Sequence, residues 1–175
     1  MHAGGAEIAV ATLALRQLVG DALASVPGAV TVLEPPRAGF IPPAPTVGLF
    51  LFHVDLAPLP SAAPPPRRPD GVVPERTRTL GLDYVIYFSG DRTRCEPEIL
   101  LALVAGALEA TPVVDPAAGV AAFHSMHPSL EAPAGIAAIR VTPLMLSGMD
   151  RAALWSMLST PYQLSVEYRA HVLPL

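Results

Sequence analysis

Two stretches of this chain alternate apolar and polar residues with a period of two, and that period constrains the fold more than any other feature. In TLGLDYVIYFSG, residues 79–90, Leu80, Leu82, Tyr84, Ile86 and Phe88 fall on one side and Asp83, Tyr87 and Ser89 on the other. In QLSVEYRAHVLPL, residues 163–175, Leu164, Val166, Tyr168, Ala170 and Val172 alternate with Ser165, Glu167, Arg169 and His171. Successive strand side chains point to opposite faces, so each run predicts a strand with one face on a core and one face wet or meeting a partner. A third run, TVGLFLFHVDL at 46–56, is apolar on both faces, with Val47, Leu49 and Leu51 set against Phe50, Phe52 and Val54. It is expected to be central in its sheet and covered on both sides.

Residues 57–78, APLPSAAPPPRRPDGVVPERTR, carry seven prolines and the turn signal Asp70-Gly71, so no regular element is expected to run through them. A loop of that length is a candidate contact arm. Around it the helical periodicity is clear. Over 7–26, Ile8, Ala11, Leu15, Leu18, Val19, Ala22 and Val26 share a face, and Pro27-Gly28 ends the run. The segment EILLALVAGALEA, opened by Glu96-Pro97, has polar residues only at Glu98 and Glu109. A helix apolar nearly all round is buried or covered by a neighbouring subunit. VTVLEPP reads as a short strand, 136–146 as another strand, and the stretch after TPVVDPAAGV, 121–135, as irregular. A last helix starts near Met149-Asp150, with Asp150 as N-cap and Trp155 and Leu158 as buried anchors. The order α, β, β, β, α, β, α, β predicts an α+β fold, helices packed on a largely antiparallel or mixed sheet, in a single domain spanning 1–175.

Composition narrows the chemistry. The 11 basic residues are all Arg, which excludes a Walker lysine, Schiff-base chemistry and a Ser-Lys dyad. The net charge of -4, with arginines interleaved among acids, argues against a nucleic-acid footprint. Hydrophobic residues make up 51%, charged residues 15%, and mean hydropathy is +0.45, which is oily for a chain that covers its own surface. The longest apolar run, Ile99 to Leu108, is too short for a membrane span, and the lone Cys95 can build neither an internal disulfide nor a cysteine metal site. A reducing cytoplasm is the expected compartment.

Constellations for catalysis are thin. His124 and His127 in HSMH lack a third ligand, and the surrounding sequence suggests a loop. Ser89-Gly90-Asp91 lacks the G-x-S-x-G turn. His53 and Asp55 sit at alternate strand positions on one face, without a nucleophile. The expectation is therefore no enzyme, no catalytic residue, no cofactor and no metal. The alternative is a small-ligand-binding or regulatory module, in which the apolar helix lines a buried pocket.

The ordered set of segments EIAVATLALRQLV, VGLFLFHV, RRPDG before LGLDYVIYFSG, EILLALVAGALEATPVV and IRVTPLMLSGMDRAALWSMLSTPYQLSVEYRAHVLPL resembles a known family. It is similar to the cap, or tail-terminator, proteins of phage-tail-like contractile injection systems, typified by the N-terminal domain of the virulence-cassette cap protein. LWSMLSTPYQLSVEY, in which a Trp-bearing helix leads through Thr160-Pro161-Tyr162 into the last strand, carries most of the likeness. The resemblance implies a phage tail-terminator-like fold and a structural role. That role is a homohexameric ring that ends tube and sheath polymerisation, with sheath and inner-tube proteins as partners and no nucleic acid or membrane insertion. It would be cytoplasmic within an assembled particle, with release on lysis. Arg67, Arg68, Arg76 and Arg78 in the Pro-rich arm, and Glu167 and Arg169 on the last strand, are the candidate subunit and sheath contacts.

Overall fold

A computed structural model describes residues 4–39, 42–58, 78–133 and 135–174. In chain order the elements are α1 (Gly4–Ala22), β1 (Val30–Val32), β2 (Thr46–Pro58), β3 (Arg78–Ser89), a 3-10 turn (Arg92–Arg94), α2 (Glu96–Ala110) and β4 (Val113–Val114). They continue with α3 (Ala117–Met126), β5 (Ile136–Pro143), α4 (Gly148–Met157) and β6 (Ser165–Pro174). The strands form one six-stranded sheet in the order β1-β2-β3-β6-β5-β4. β1 runs parallel to β2 and every other pair is antiparallel, so the expected α+β class with a mixed sheet holds. The period-two strands are its two central members: β6 lies between β3 and β5.

One face carries the main core. Leu80, Leu82, Tyr84, Ile86 and Phe88 of β3 and Tyr168, Ala170 and Val172 of β6 pack with Val47 and Leu49 of β2 beneath α1, α2 and α3. Each fully buried Leu, Ile or Val contributes about 1.5–3 kcal/mol. The phenol at the centre of this layer is satisfied: Tyr84 is fully buried, and its hydroxyl lies 2.8 Å from Thr12 Oγ1. Thr12 donates its own proton to the Ile8 carbonyl, also at 2.8 Å, so Tyr84 is the donor in the pair. Burial pushes the Tyr84 phenol up to about 12.

Three expectations are corrected here. The stretch after TPVVDPAAGV is not irregular throughout: the ten-residue helix α3 runs into it as far as Met126. The Asp115 carboxylate accepts from the Ala117 amide at 2.8 Å and starts the helix. An Ala-rich segment has high helix propensity, and α3 escapes a wheel reading because it buries little besides Gly119 and Phe123. His124 therefore sits on a helix and His127 at its C-cap, both against the Phe123 ring. The second concerns α2, expected to be either deeply buried or covered by a neighbouring subunit, and only the first alternative is overturned. It buries only the stripe Pro97, Leu100, Val104 and Leu108, while Ile99, Ala102 and Gly106 are exposed, so it is not deeply buried in this chain. The third is α4, whose N-cap is Ser147: its Oγ accepts from the Asp150 amide at 3.1 Å and donates to Asp150 Oδ2 at 2.7 Å.

The two helical glycines of α2 and α3 differ in a way that can be measured. A Cβ at Gly119 would run into the Val10 carbonyl oxygen and the Ala14 methyl, because α3 crosses α1 at that point; a Cβ at Gly106 meets nothing within 4 Å. Gly119→Ala should destabilise by about 1–3 kcal/mol despite its better helix propensity, and Gly106→Ala should stabilise by up to about 1 kcal/mol. Urea unfolding midpoints of both variants test the α1–α3 crossing, and equal gains in both would show that it is not tight.

Candidate functional site

The second face of the sheet divides into two halves. α4 covers one half: Leu154 and Trp155 pack on Val85 and Tyr87, with Phe50, Phe52, Leu146 and Leu158 around them. Trp155 also meets Tyr162 edge-on, with ring centroids 5.4 Å apart, which links the helix to the turn that feeds β6. Glu167 lies beneath α4 and is 4% exposed. Its carboxylate accepts from Arg151 of α4 at 3.0 Å and from the Ser165 hydroxyl at 3.1 Å. Because it is held in this way, the expectation that Glu167 faces water or a partner is corrected. Its charge anchors a helix.

The uncovered half is polar and built across four strands. The register sets His53, Asp83, Arg169 and Thr142 side by side in one row, and Asp55, Gly81, His171 and Arg140 in the next. At the centre, Asp83 is 4% exposed and sits between Arg169 and His53. Arg169 grips it with two parallel bonds, Nε to Oδ1 at 2.5 Å and Nη2 to Oδ2 at 2.7 Å. His53 Nδ1 donates to Oδ2 at 3.1 Å. Burial alone would raise the Asp83 carboxyl, but the hydrogen bond and charge of Arg169, joined by His53, outweigh it and hold the group below its ordinary 3.8. The same bond, against the opposing effect of desolvation, raises Arg169. His53 is thus partnered by Asp83 across the strands, and not by Asp55 along its own.

β2 reaches this position through a bulge. Leu51 pairs with Tyr84 and His53 with Asp83, which leaves Phe52 as the extra residue. The shift turns Val54 to the helix side, opposite Leu82, and Asp55 to the outer side, opposite Gly81. β2 is not central as expected. β1 pairs with it only over Thr46–Gly48, and among the described residues no strand flanks Leu49–Pro58 on the side away from β3. The reason lies at Gly48. A Cβ there would fall inside the Tyr87 ring, which crosses the strand at that point and donates its hydroxyl to the Glu34 carbonyl at 2.9 Å. The chain after β1 is thereby drawn over the outer face instead of continuing along β2.

Of the residues expected from sequence to make contacts, Arg67, Arg68 and Arg76 lie outside the described residues. Arg78 opens β3, its backbone paired with Pro58. Glu167 and Arg169 are committed to internal ion pairs, with Arg151 and Asp83 respectively. Sequence reasoning missed Asp83 and Arg151. The available signal was a carboxylate in the middle of an otherwise apolar strand, which needs a cation opposite it. Among the described residues no group of three or more metal-ligating side chains comes together, and no helix is long and apolar enough to cross a membrane. The cleft beside α2, about 710 Å3, is walled by Pro27, Pro42, Pro43, Asp91, Arg94 and Ile99.

The model of the Pvc16 N-terminal domain family matches residues 11–175. The chain belongs to that family. Its fold is similar to that of the sheath/tube terminator of PVC, an extracellular contractile injection system, in the extended state. The TM-score is 0.57 at 15% identity, covering 93% of this chain and 56% of that one. It is equally similar to the tube-terminating cap of the anti-feeding prophage, with a TM-score of 0.57 at 13% identity, covering 93% of this chain and 53% of the cap. This family member thus spans little more than half the length of each solved relative. No curated sequence matches it.

The ion pair sets a pH dependence. Asp83 has a folded-state pKa below its unfolded value, so its contribution is complete above about pH 4 and is lost as the pH falls through the lowered folded value. Asp83→Asn leaves the partly exposed Arg169 without its carboxylate and should cost about 1–3 kcal/mol at pH 7. The gap between variant and parent should narrow on acidification below about pH 4, as read by denaturant unfolding at a series of pH values.

Proposed function

We propose that this chain is a structural cap, or tail terminator, of a contractile injection system, and that it ends the polymerisation of tube and sheath as a homohexameric ring. The observation that carries the proposal is membership of the Pvc16 N-terminal domain family across residues 11–175. The shared fold with a sheath/tube terminator and a tube-terminating cap supports it. The role is structural rather than enzymatic, and the whole of 1–175 is read as one cap domain. The particle is assembled in the cytoplasm and acts outside the cell, as the extracellular system of the similar terminator suggests.

The physical logic is one of edges. A growing sheath or tube exposes unpaired backbone and apolar surface at its last layer, and a terminator must cover these without presenting a new copy of the same surface. A closed ring with head-to-tail contacts leaves no open end. This chain has surface suited to burial in such a ring: Met145, Met149, Met157 and Ile99 are 89%, 86%, 64% and 50% exposed. Long flexible methionines adapt to the shape of a neighbour. Arg67, Arg68, Arg76 and Arg78 remain the proposed contacts of the Pro-rich arm, through carboxylate pairing with a neighbouring subunit or the sheath. Arg169 contributes indirectly, by fixing the face on which His53 and Asp55 lie.

Two measurements test the reading. Light scattering of the purified protein is expected to give a mass of six subunits, or a monomer that becomes a ring only on sheath. Removing the gene from a particle-producing cell should give tubes and sheaths of uncontrolled length or with unstable ends by electron microscopy. Particles of normal length and stability would sink the proposal. Replacing Arg67 and Arg68 together by Ala should reduce ring assembly by about tenfold, and unchanged assembly would remove the arm from the contact set.

A further inference from the structure

We infer that the cleft between the C-terminal half of α1, the turn into β1 and the end of α3 is a binding site for a small aromatic monocarboxylate. The inference goes beyond the cap reading and does not rest on it.

The cleft holds about 520 Å3, a volume typical of small-ligand sites. It is hollow because Gly20 and Ala24 on α1, Ala29 in the turn and Ala122 on α3 put almost no side chain into the space they surround. Outside its own helix, a Cβ at Gly20 would meet only Thr31 Oγ1, at 4.0 Å. Leu13, Leu23, Val26 and Met126 supply apolar wall, and the half-exposed Met126 thioether suits the edge of an aromatic ring. No lining residue adjoins a stretch outside the described ones: the nearest, Met126, stands eight positions before Ala134.

The charge in this cleft is a single cation. Arg16 is the one charged side chain on its walls, and among the described residues it has no ion-pair partner. Asp21, the nearest carboxylate along α1, lies well round the helix from Arg16, and its Oδ1 already accepts from Gln17 Nε2 at 2.7 Å. Bare carbonyls at the end of α1 would favour a cation, but those of Gly20, Asp21, Leu23 and Val26 each accept an amide proton in the turns that follow. A second polar group waits beside Arg16. Thr31 Oγ1 is buried with no hydrogen-bond partner among the described residues, and it faces Gly20, one helical turn beyond Arg16 on the same side of α1. Rotation about χ1 exchanges its methyl and hydroxyl and presents the hydroxyl to the cleft. One carboxylate satisfies both groups, accepting two bonds from the planar guanidinium and one from the hydroxyl. A phosphate dianion would keep an uncompensated charge among apolar walls, so the site suits a monoanion with its ring against the leucines.

The probe is 2-naphthoate, titrated into the full chain and followed by backbone amide chemical shifts. It should bind with a dissociation constant on the order of 0.1–1 mM and move amides within 13–31 and 122–126. 2-Naphthamide, of the same shape without the charge, should bind at least about tenfold more weakly. Arg16→Gln, at a partly exposed helix position, should weaken naphthoate by about tenfold and leave naphthamide unchanged, a split that a loss of folding does not produce. Gly20→Leu fills the hollow and should abolish binding of both compounds, with the far-UV spectrum unchanged. Equal binding of acid and amide, shifts centred elsewhere, binding indifferent to both substitutions, or no binding up to about 10 mM would overturn the inference. A capped Leu-Glu-Phe peptide that binds the cleft more tightly than naphthoate would assign it to a glutamate of a partner protein, which overturns the small-molecule assignment. Ring assembly without naphthoate binding would leave the cap reading standing. Naphthoate binding by a protein whose removal leaves particles normal would do the reverse.

Discussion

The pairing of β3 with β6 is the constraint on which the rest of the structure depends. It aligns residues 80–87 with 165–172 and thereby assembles both faces of the sheet in one step. On the helix side it sets Tyr84 beside Tyr168 and Leu82 beside Ala170, the floor on which α1, α2 and α3 rest. On the other side it places Asp83 opposite Arg169, residues 86 positions apart in the chain. A slip of one residue would send every core side chain to the wrong face and leave Asp83 buried without its cation. The apolar layer and the ion pair therefore specify the same register, one by burial and one by the cost of an unpaired buried charge.

From that centre outward the sheet becomes less complete. Among the described residues, β2 and β5 each have a full partner on the inner side and only a short strand outside, three residues of β1 and two of β4. Tyr87 and Gly48 account for the early departure of β1: the ring occupies the space of an absent side chain and its hydroxyl holds the chain after β1 over the outer face. α4 covers the half of that face beside it and leaves the His53–Asp83–Arg169 half open. The sheet thus combines a core that is satisfied within the chain with rims that are not. Exposed Ile99 on α2 and exposed Met145 and Met149 near the start of α4 add apolar surface on opposite sides of the sheet.

Much of this was legible in the sequence. The alternation in 79–90 and 163–175 assigned Leu82, Tyr84, Ala170 and Val172 to the core face, and they are buried there. The ordered segments carried the family, while the Pro-rich stretch expected at 57–78 gives its ends to β2 and β3 and otherwise lies outside the described residues. α3 was not legible, because Gly119, Ala121 and Ala122 leave almost no apolar periodicity, and the helix is held by its close crossing of α1. Nor was the site. Glu167 and Arg169 occupy equivalent positions on one strand and look alike as polar residues on a wet face. Yet Glu167 is sealed beneath α4 by Arg151, and Arg169 is turned onto Asp83.

The sequence by itself determined which side of β3 and of β6 faces the helices and where the chain must turn, since these follow from steric and solvation preferences acting over a few neighbouring residues, and its ordered segments carried the family. Only the tertiary structure decided which strands are neighbours, that Asp83 rather than Asp55 partners His53, and that among the described residues β1 pairs with β2 only over Thr46–Gly48. Those outcomes rest on contacts between segments far apart in the chain, and on a single bulge at Phe52 that shifts every later residue of β2 to the opposite face. A local period cannot encode either one, because the period is the same before and after the bulge and says nothing about which strand lies alongside.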